Sequence, residues 1–435
     1  MKALKKIMDA ALKYKESILL AAFLLSIFYF VKMPIMWDEI VYNLNAKYFL
    51  GLTDFYDNFR PPLYSAILMP FYALSAESLA KIIPNIFLIL FALATYYLAK
   101  SFSKKPLIAA LFLLSFPVVI YWSNSFMTCI PSSFFIVVSV IFLKKYENKP
   151  KFIYLALSFL FSAITFLTRY PLGLSYGILV LLYFIFVKNK NLNHFILSQF
   201  FFFIPVIYWI KALGFELFVS IFQAAESDAS TPLFFMLNYF LILGLSGLLL
   251  PLIFRKKFEK QDLWLIIPVI TFLAFFQLFG HKETRFLMPL LPFIAIMLSR
   301  IRLKEAFIFL AIILSFVSSI YLTILPSRPY YNIFNAAFSQ VSEFFLDKPD
   351  EVVLSNMVAY CLYYTKNQCL IVSWEPEYFI NRVDETNASY LLISDNSIAH
   401  PYYSSNQSYY EAYALEKKIN IGLENIYIYK IEKGE

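Results

Sequence analysis

Four ionisable side chains occupy the segment 281–285, between two long apolar runs: His281, Lys282, Glu283 and Arg285. Charged groups beside hydrocarbon are rare unless they have partners and a function. The three basic members indicate an anionic ligand such as phosphate or pyrophosphate, and Glu283 can orient them. A solvated turn between two membrane spans is the alternative interpretation.

A second charged motif, Trp37-Asp38-Glu39, follows directly on the first apolar run. Adjacent carboxylates point in different directions in a helix and in a strand, so the two need not share one task. One can act as a general base on a hydroxyl group, while the other binds a cation or a basic side chain. Alternatively, both carboxylates only solvate the end of the first span.

Two further arginines stand close to prolines at the edges of apolar runs. Arg60 comes directly before two prolines, and Pro171 follows Arg169 by two positions. Because proline restricts the backbone and opposes helix formation there, each guanidinium is held at the end of a span. A guanidinium in that place can bind a phosphate through two parallel hydrogen bonds. The alternatives are a lipid-headgroup anchor for Arg60 and simple snorkelling for Arg169.

The composition defines the class of protein that must position these groups. The 435 residues are 60% hydrophobic and only 15% charged, which is typical of an α-helical polytopic membrane protein. The net charge of +8 is compatible with nucleic-acid binding in principle. However, the basic residues lie between the apolar runs, so membrane topology explains them better than a nucleic-acid partner does.

The apolar runs predict about eleven membrane-spanning helices. More than half of the 37 Lys and Arg residues lie in six short segments that share one side of the membrane if there are eleven spans. By the positive-inside rule that side is the cytoplasm of a plasma-membrane protein, so the N-terminus is inside and the C-terminus outside. The predicted spans are 17–34, 78–99, 106–122, 130–143, 152–168, 171–187, 194–211, 232–254, 263–280, 286–299 and 305–323.

The outer connections predict two further structures. Segment 62–75, within the first outer loop 35–77, is too short to cross and is interpreted as an amphipathic or re-entrant helix. A change of sequence character then separates a transmembrane domain, 1–323, from a small extracytoplasmic α/β domain, 324–435. The strands predicted in this outer domain are 351–355, 368–372, 389–394 and 425–430, with helices near 356–364 and 375–385.

Histidine and cysteine usage restricts the chemistry. The three histidines lie in three separate regions, so a histidine-based metal site is not expected. Cys361 and Cys369 are eight residues apart in the outer domain, and a disulfide or two free buried thiols both remain open. Cys129 is expected to be unpaired. With no glycine-rich phosphate loop, a preactivated, membrane-bound donor fits better than a nucleotide, and a divalent cation is left open.

Four short motifs resemble those of the multispanning GT-C glycosyltransferases, especially the protein O-mannosyltransferase and aminoarabinose lipid A transferase group. The segment 167–171 is similar to that group's Leu-Thr-Lys-x-Pro element. The segment 281–286 is similar to the His-Lys-Glu-x-Arg-Phe motif of lipid-linked-oligosaccharide and GPI mannosyltransferases. Cys129 stands where the family usually has the aspartate of Thr-Asp-x-Pro. The motifs of the first outer loop are Trp37-Asp38-Glu39 and Arg60-Pro61-Pro62-Leu63-Tyr64.

This resemblance implies an inverting sugar transfer from a dolichyl- or undecaprenyl-type polyprenyl-phosphate donor. The acceptor would be a protein, a lipid or a glycan at the outer face of the membrane. Asp38 would be the base that activates the acceptor, with Glu39 supporting the acceptor or the basic residues. The residues implied in holding the donor are Arg60, Tyr64, Arg169, Tyr170, His281, Lys282, Glu283 and Arg285.

Two other classes of protein compete with a glycosyltransferase. A transporter or flippase of polyprenyl-linked sugars also needs basic residues for phosphate, but it does not need a carboxylate pair at one face. Transporters also more often carry charges at mid-membrane depth, and the predicted spans contain almost none. A scaffold that only anchors the outer domain leaves the charged loops unexplained.

Overall fold

The structure, a computed structural model, describes most of the chain. The described residues are 15–30, 35–188, 190–213, 233–253, 258–278, 282–373, 378–395, 406, 410, 412–422 and 424–432. Contacts divide the chain into two compact units. The first unit combines Met1–Val31 with Asp57–Ile324, and the second combines Lys32–Tyr56 with Leu325–Glu435.

Helices account for nearly all of the first unit. In chain order the α-helices are α1 (Lys15–Phe30), α2 (Trp37–Tyr48), α3 (Pro62–Ala73), α4 (Glu77–Ala80), α5 (Ile83–Ala99), α6 (Pro106–Ser115), α7 (Pro117–Trp122), α8 (Cys129–Asn148), α9 (Phe152–Thr168), α10 (Leu174–Phe186), α11 (Leu192–Leu213), α12 (Phe234–Leu237), α13 (Tyr239–Leu243), α14 (Leu250–Ile253), α15 (Leu263–Leu278), α16 (Leu291–Leu298) and α17 (Glu305–Phe345). Short 3-10 helices cover Tyr170–Gly173, Gly244–Leu249, Lys260–Asp262 and Thr284–Leu290. Of these helices, α2 and the last part of α17 belong to the second unit.

Four described helical segments are long and apolar enough to cross a membrane: Glu77–Ala99, Cys129–Asn148, Leu192–Ala212 and Lys260–Leu278. Seven shorter apolar helices of 10–17 residues accompany them. Each predicted span overlaps one of these segments, so the helical, multi-span interpretation is confirmed in outline. The number of helices that cross the membrane stays a prediction. A short helix is present at the predicted place 62–75 as α3, and its location at the outer membrane surface stays a prediction.

Helix α9 holds a central place among the elements of the first unit. It packs against α8 on one side and α11 on another, and α3 also contacts it. Its hydroxyl side chains bond to its own backbone: Thr165 Oγ1 donates to the Phe161 carbonyl at 2.8 Å, and Thr168 Oγ1 to the Ile164 carbonyl at 2.7 Å. Polar groups buried among apolar helices are thereby satisfied locally. The end of α9 positions Arg169.

The second unit contains a five-stranded sheet with the order β2-β1-β3-β5-β4. Strands β1, β2 and β3 are parallel, whereas β5 pairs antiparallel with both β3 and β4. Helix α18 connects β1 to β2, and α19 connects β2 to β3. The elements are β1 (Val352–Ser355), α18 (Val358–Tyr364), β2 (Gln368–Ile371), α19 (Phe379–Thr386), β3 (Tyr390–Ser394), β4 (Ala414–Ile421) and β5 (Glu424–Lys430).

The predicted α/β fold of the C-terminal region is present, with one additional strand, while its location outside the membrane stays a prediction. Strand β4 has mostly exposed side chains, including the charged run Glu416-Lys417-Lys418, and it pairs with only one neighbour. Charged residues are common on edge strands because they oppose pairing with other chains. Such a polar strand carries little of the apolar signal on which the sequence prediction relied.

Cys361 and Cys369 form a disulfide between α18 and β2, with their Cα atoms 6.0 Å apart. This decides between the two states that the sequence left open. Cys129 is a free, buried cysteine, as expected.

Removing this disulfide should destabilise the second unit. Cross-linking across eight residues restricts the unfolded chain, so Cys361→Ala/Cys369→Ala should lower the free energy of unfolding by about 2.5 kcal/mol. Pulse proteolysis in urea, on the full chain in detergent, measures the change through cleavage in the outer domain. Cys129→Ala is the control, and equal urea midpoints for the two variants would contradict the prediction.

Candidate active site

The segment Lys282–Leu290 forms one part of the candidate site, and it lies in the first unit. Glu283 has an extended backbone and precedes the 3-10 helix Thr284–Leu290. Pro289 lies inside that helix and cannot donate a backbone hydrogen bond, which disfavours a regular α-helix here. The 3-10 helix packs against α7, α8 and α15. The described part of the predicted charged segment, 282–285, is therefore not a freely solvated turn.

Arg285 is held on several sides. Its guanidinium forms an ion pair with Glu283, in which Nη2 donates to Oε1 at 2.6 Å. Nη1 lies 3.2 Å from the Met127 sulfur, and the guanidinium carbon is 5.0 Å from the centre of the Trp122 ring. Only 12% of the Arg285 side chain is exposed. The predicted role of Glu283, to orient a basic residue, therefore has a geometric basis.

Arg169 connects α9 to the 3-10 helix Tyr170–Gly173. Its backbone is extended, and its N–H still donates to the Thr165 carbonyl at 2.9 Å. Its guanidinium carbon lies 5.0 Å from the centre of the Phe286 ring, a favourable cation–π contact. Phe286 directly follows Arg285 in the chain. Arg169, distant in sequence, therefore contacts the residue next to Arg285 in the short helix.

Cys129 lies within the electrostatic influence of both guanidiniums. Arg169 and Arg285 each act on its thiol, which is 1% exposed at the start of α8. The segments 128–131, 167–171 and 282–286 therefore come together in one unit. Two cations and one carboxylate, Glu283, leave an excess of positive charge in a shielded place. Such an arrangement favours an anion, as the sequence predicted.

Arg60 and Tyr64 flank the start of α3. Pro61 has an extended backbone and Pro62 opens the helix, a usual place for proline because the first helical N–H groups need no partner. Tyr64 is fully buried, with its ring centre 6.3 Å from that of Phe87, while Arg60 is partly buried. Since α3 packs on α9, both residues belong to the same packed unit as Arg169.

Tyr170 is buried against Phe166, and its hydroxyl accepts a hydrogen bond from the Trp209 indole N–H at 2.9 Å. This places α11 beside the segment that carries Arg169. Lys282 is partly buried at the start of the charged segment. His281 lies outside the described residues.

Asp38 and Glu39 lie in the second unit, in the first turn of α2. The Glu39 side chain is buried, and its Oε2 accepts a hydrogen bond from the Met36 backbone N–H at 2.7 Å. Carboxylates are stabilised at this end of a helix by its dipole. Glu39 thus has a capping role that the sequence did not predict. Asp38 is the more exposed of the two carboxylates.

The described residues contain no group of three or more His, Cys, Asp or Glu side chains that could hold a metal ion. A cavity of about 530 Å³ lies among residues of the predicted cytoplasmic loops and neighbouring spans, including the Asp262–Arg300 ion pair. None of the predicted site residues lines it. The candidate site is therefore defined by its charged side chains, and it does not coincide with that cavity.

Sequence reasoning missed three side chains that support the site. Trp122 and Met127 contact Arg285, and Trp209 binds Tyr170. Their residue types are common at the ends of spans, so no local signal distinguishes them. Only the position of Trp122 at the end of a predicted span, beside the segment 123–129, pointed towards an outer site.

The fold of the chain is similar to folds that are already known. It is the GT-C fold of membrane glycosyltransferases, which confirms the resemblance predicted from the motifs. Residues 230–354 match the model of the Alg9-like mannosyltransferase family, and this range includes the segment 282–286. None of the curated protein sequences is a detectable relative.

This chain is similar to solved structures over nearly its whole length. ArnT from Cupriavidus metallidurans bound to undecaprenyl phosphate has a TM-score of 0.70 at 12% identity, over 95% of this chain and 98% of ArnT. The arabinofuranosyltransferase AftD from mycobacteria has a TM-score of 0.57 at 11% identity, over 97% of this chain and 40% of AftD. The Archaeoglobus fulgidus oligosaccharyltransferase has a TM-score of 0.54 at 12% identity, over 87% of this chain and 68% of the oligosaccharyltransferase. At these identities the likeness shows the fold.

The geometry around Arg285 predicts that lysine cannot replace this arginine. Lysine retains the positive charge but loses the planar fork that engages Glu283 and stacks on Trp122. Arg285→Lys should weaken binding of the phosphate ester dodecyl phosphate roughly tenfold, or about 1.4 kcal/mol. Calorimetry on the protein in nanodiscs measures this affinity.

Arg300→Lys is the matched control, because Arg300 also pairs with a carboxylate, Asp262, in the same unit. That variant should bind dodecyl phosphate like the original protein. Equal losses in the two variants would show that Arg285 has no special place in an anion site.

Proposed function

We propose that the protein is an inverting glycosyltransferase that moves a sugar from a polyprenyl-phosphate donor to an acceptor at the outer face of the membrane. The observation that carries the proposal is the contact of Arg169 with Phe286, the residue that directly follows the buried Arg285. It occurs within a GT-C fold, and a structure with this fold, ArnT, binds undecaprenyl phosphate.

The arginines bind the donor phosphate in this proposal. Departure of the sugar leaves a full negative charge on the polyprenyl phosphate, and fixed cations in a shielded site stabilise that charge as it develops. Glu283 and Trp122 hold the Arg285 guanidinium in place before the donor arrives, so little reorganisation is needed. The further residues assigned to the donor are Arg60, Tyr64, Tyr170, His281 and Lys282.

Asp38 is the proposed base. The acceptor oxygen attacks the anomeric carbon, the bond from that carbon to the phosphate oxygen breaks, and the acceptor proton passes to the Asp38 carboxylate. One displacement inverts the anomeric centre without a covalent enzyme intermediate. The engagement of Glu39 with the Met36 N–H supports Asp38, rather than Glu39, in this role. Glu39 supports the turn that carries Asp38.

The predicted topology fits this chemistry. Eleven spans place the charged segments on the outer side of a plasma membrane, with the N-terminus in the cytoplasm and the domain 324–435 outside. A lipid-linked donor can then diffuse within the bilayer to the enzyme. The Alg9-like match favours a mannosyl-type transfer, while the likeness to the arabinofuranosyltransferase AftD keeps pentoses among the donors to be tested.

The decisive experiment is sugar transfer by the purified protein in proteoliposomes. Synthetic polyprenyl-phosphate mannose and polyprenyl-phosphate pentoses serve as donors, with membrane extract as a source of acceptors. Mass spectrometry then identifies the sugar-bearing product and the released polyprenyl phosphate. Movement of the intact donor across the bilayer without its cleavage would instead establish a flippase.

The role of Asp38 gives a sharp prediction. Asp38→Asn removes the base while keeping the size of the side chain, so kcat should fall by about 10³-fold, within the range of general-base catalysis. Donor binding should stay unchanged, because the proposed phosphate ligands are elsewhere.

Asp54→Asn provides the control, since Asp54 is an exposed carboxylate in the same outer loop. It should transfer sugar at the original rate. Persistent transfer by Asp38→Asn, with the same anomeric inversion, would remove Asp38 as the base.

A further inference from the structure

The indole N–H of Trp122 is a buried hydrogen-bond donor in the candidate site. Trp122 is the last residue of α7 and is only 7% exposed. Its Nε1 has no hydrogen-bond partner in the part of the chain that the structure describes. A tryptophan N–H can only donate, and it usually finds an acceptor when it is buried. Because an unpaired donor away from water costs free energy, its presence here needs an explanation.

The Arg285 guanidinium lies over the face of this indole. The guanidinium carbon is 5.0 Å from the centre of the Trp122 ring. A guanidinium carries donors and no acceptor, so it cannot accept the indole proton. Two donor groups with no acceptor between them therefore lie side by side. A phosphate has several acceptor oxygens, so one of them can bind the guanidinium while another accepts from the indole.

The neighbours of Trp122 hold its ring in place. Tyr121 packs edge-to-face against it, with the two ring centres 4.9 Å apart. Helix α7 also packs against the 3-10 helix Thr284–Leu290, which carries Arg285. The indole is therefore positioned before a ligand arrives, so a hydrogen bond to that ligand requires little reorganisation.

An unpaired indole N–H does not by itself mark a binding site, as Trp264 shows. Trp264 Nε1 also has no partner among the described residues, and the Lys144 ammonium lies 4.8 Å from the centre of its ring. However, Trp264 is 0% exposed, and its ring stacks on Phe186 at 4.7 Å. A ligand cannot reach that N–H without displacing the core. Trp122 differs because it keeps some exposure and lies beside one of the two arginines of the candidate site.

We propose that Trp122 is a phosphate-binding residue, whose N–H donates a hydrogen bond to a phosphate oxygen of the polyprenyl-phosphate donor alongside Arg285. The face of the ring supports the guanidinium, and its edge binds the ligand. This hydrogen bond strengthens as negative charge grows on the phosphate during departure of the sugar. The inference rests on the proposed function, because it takes the donor phosphate as the ligand of Arg285.

Trp122→Phe is the test variant, since it keeps an aromatic face for Arg285 and removes the indole N–H. Trp264→Phe is the matched control, because it removes an equally unpaired N–H beneath a cation in the same unit. Both variants are made in the full chain in nanodiscs, and Trp122→Phe is also combined with Arg285→Lys. Dodecyl phosphate is the phosphate-ester probe, and dodecanol is the neutral probe with the same alkyl chain.

Calorimetry measures the affinity for each probe. Trp122→Phe should weaken binding of dodecyl phosphate roughly tenfold, as expected for the loss of a hydrogen bond to a charged group. A further loss should also appear in the Arg285→Lys background, because the N–H binds the phosphate directly and not only through Arg285. Trp264→Phe should bind dodecyl phosphate like the original protein. Neither variant should change the affinity for dodecanol.

Nuclear magnetic resonance of protein labelled with ¹⁵N-tryptophan observes the indole N–H groups directly. The chain has only five tryptophans, so the signals that disappear in Trp122→Phe and in Trp264→Phe assign these two residues. Dodecyl phosphate should move the Trp122 indole proton downfield, because that donor gains an anionic acceptor, and it should leave the Trp264 signal in place. Dodecanol should move neither signal.

Several results would overturn the inference: original dodecyl phosphate affinity in Trp122→Phe, an unmoved Trp122 signal, an equal loss in Trp264→Phe, or a loss that disappears in the Arg285→Lys background. The proposed function fails separately. A Trp122 that responds as expected, without sugar transfer by any chain, would keep Trp122 as a phosphate ligand and reject the glycosyltransferase assignment. Sugar transfer with unchanged kinetics in Trp122→Phe would keep the glycosyltransferase and reject the role of Trp122.

Discussion

An arginine at the edge of hydrocarbon is stable only where other groups satisfy its charge and its N–H donors. Arg285 meets this requirement through Glu283, the Met127 sulfur and the face of Trp122. These partners come from different elements, so the 3-10 helix, α7 and the start of α8 must meet around one cation. Arg169 is drawn to the same place by its contact with Phe286. The positive excess that results is the basis of the proposed phosphate site.

The carboxylates Asp38 and Glu39 are positioned by the apolar packing of their helix α2. The apolar face of α2 is buried in the core of the second unit, and the packing of Trp37 on Tyr360 holds its first turn. The anion site and the candidate base thus belong to separately packed units.

Many of the helices and strands, and part of the candidate site, could be predicted from the sequence. Apolar runs marked the helices, and alternating β-branched and aromatic runs marked β1, β2, β3 and β5. The predicted grouping of Arg169 with the segment 281–286 is supported for the described residues of that segment. Strand β4 was missed because its exposed, charged residues lack an apolar pattern. Trp122 and Met127 were missed because aromatic and sulfur side chains are common at the ends of spans.

Hydropathy and charge are properties of neighbouring residues. The sequence by itself therefore determined the helical class, the strands and helices of the C-terminal region and the charged segments that could do chemistry. The tertiary structure decided which of these segments meet. It brought Arg169 to the residue next to Arg285, joined Cys361 to Cys369, gave Glu39 a capping role and packed α2 into the second unit. These outcomes depend on contacts between residues far apart in the chain. Local periodicity carries no information about such contacts, since they are selected by the packing of the whole unit.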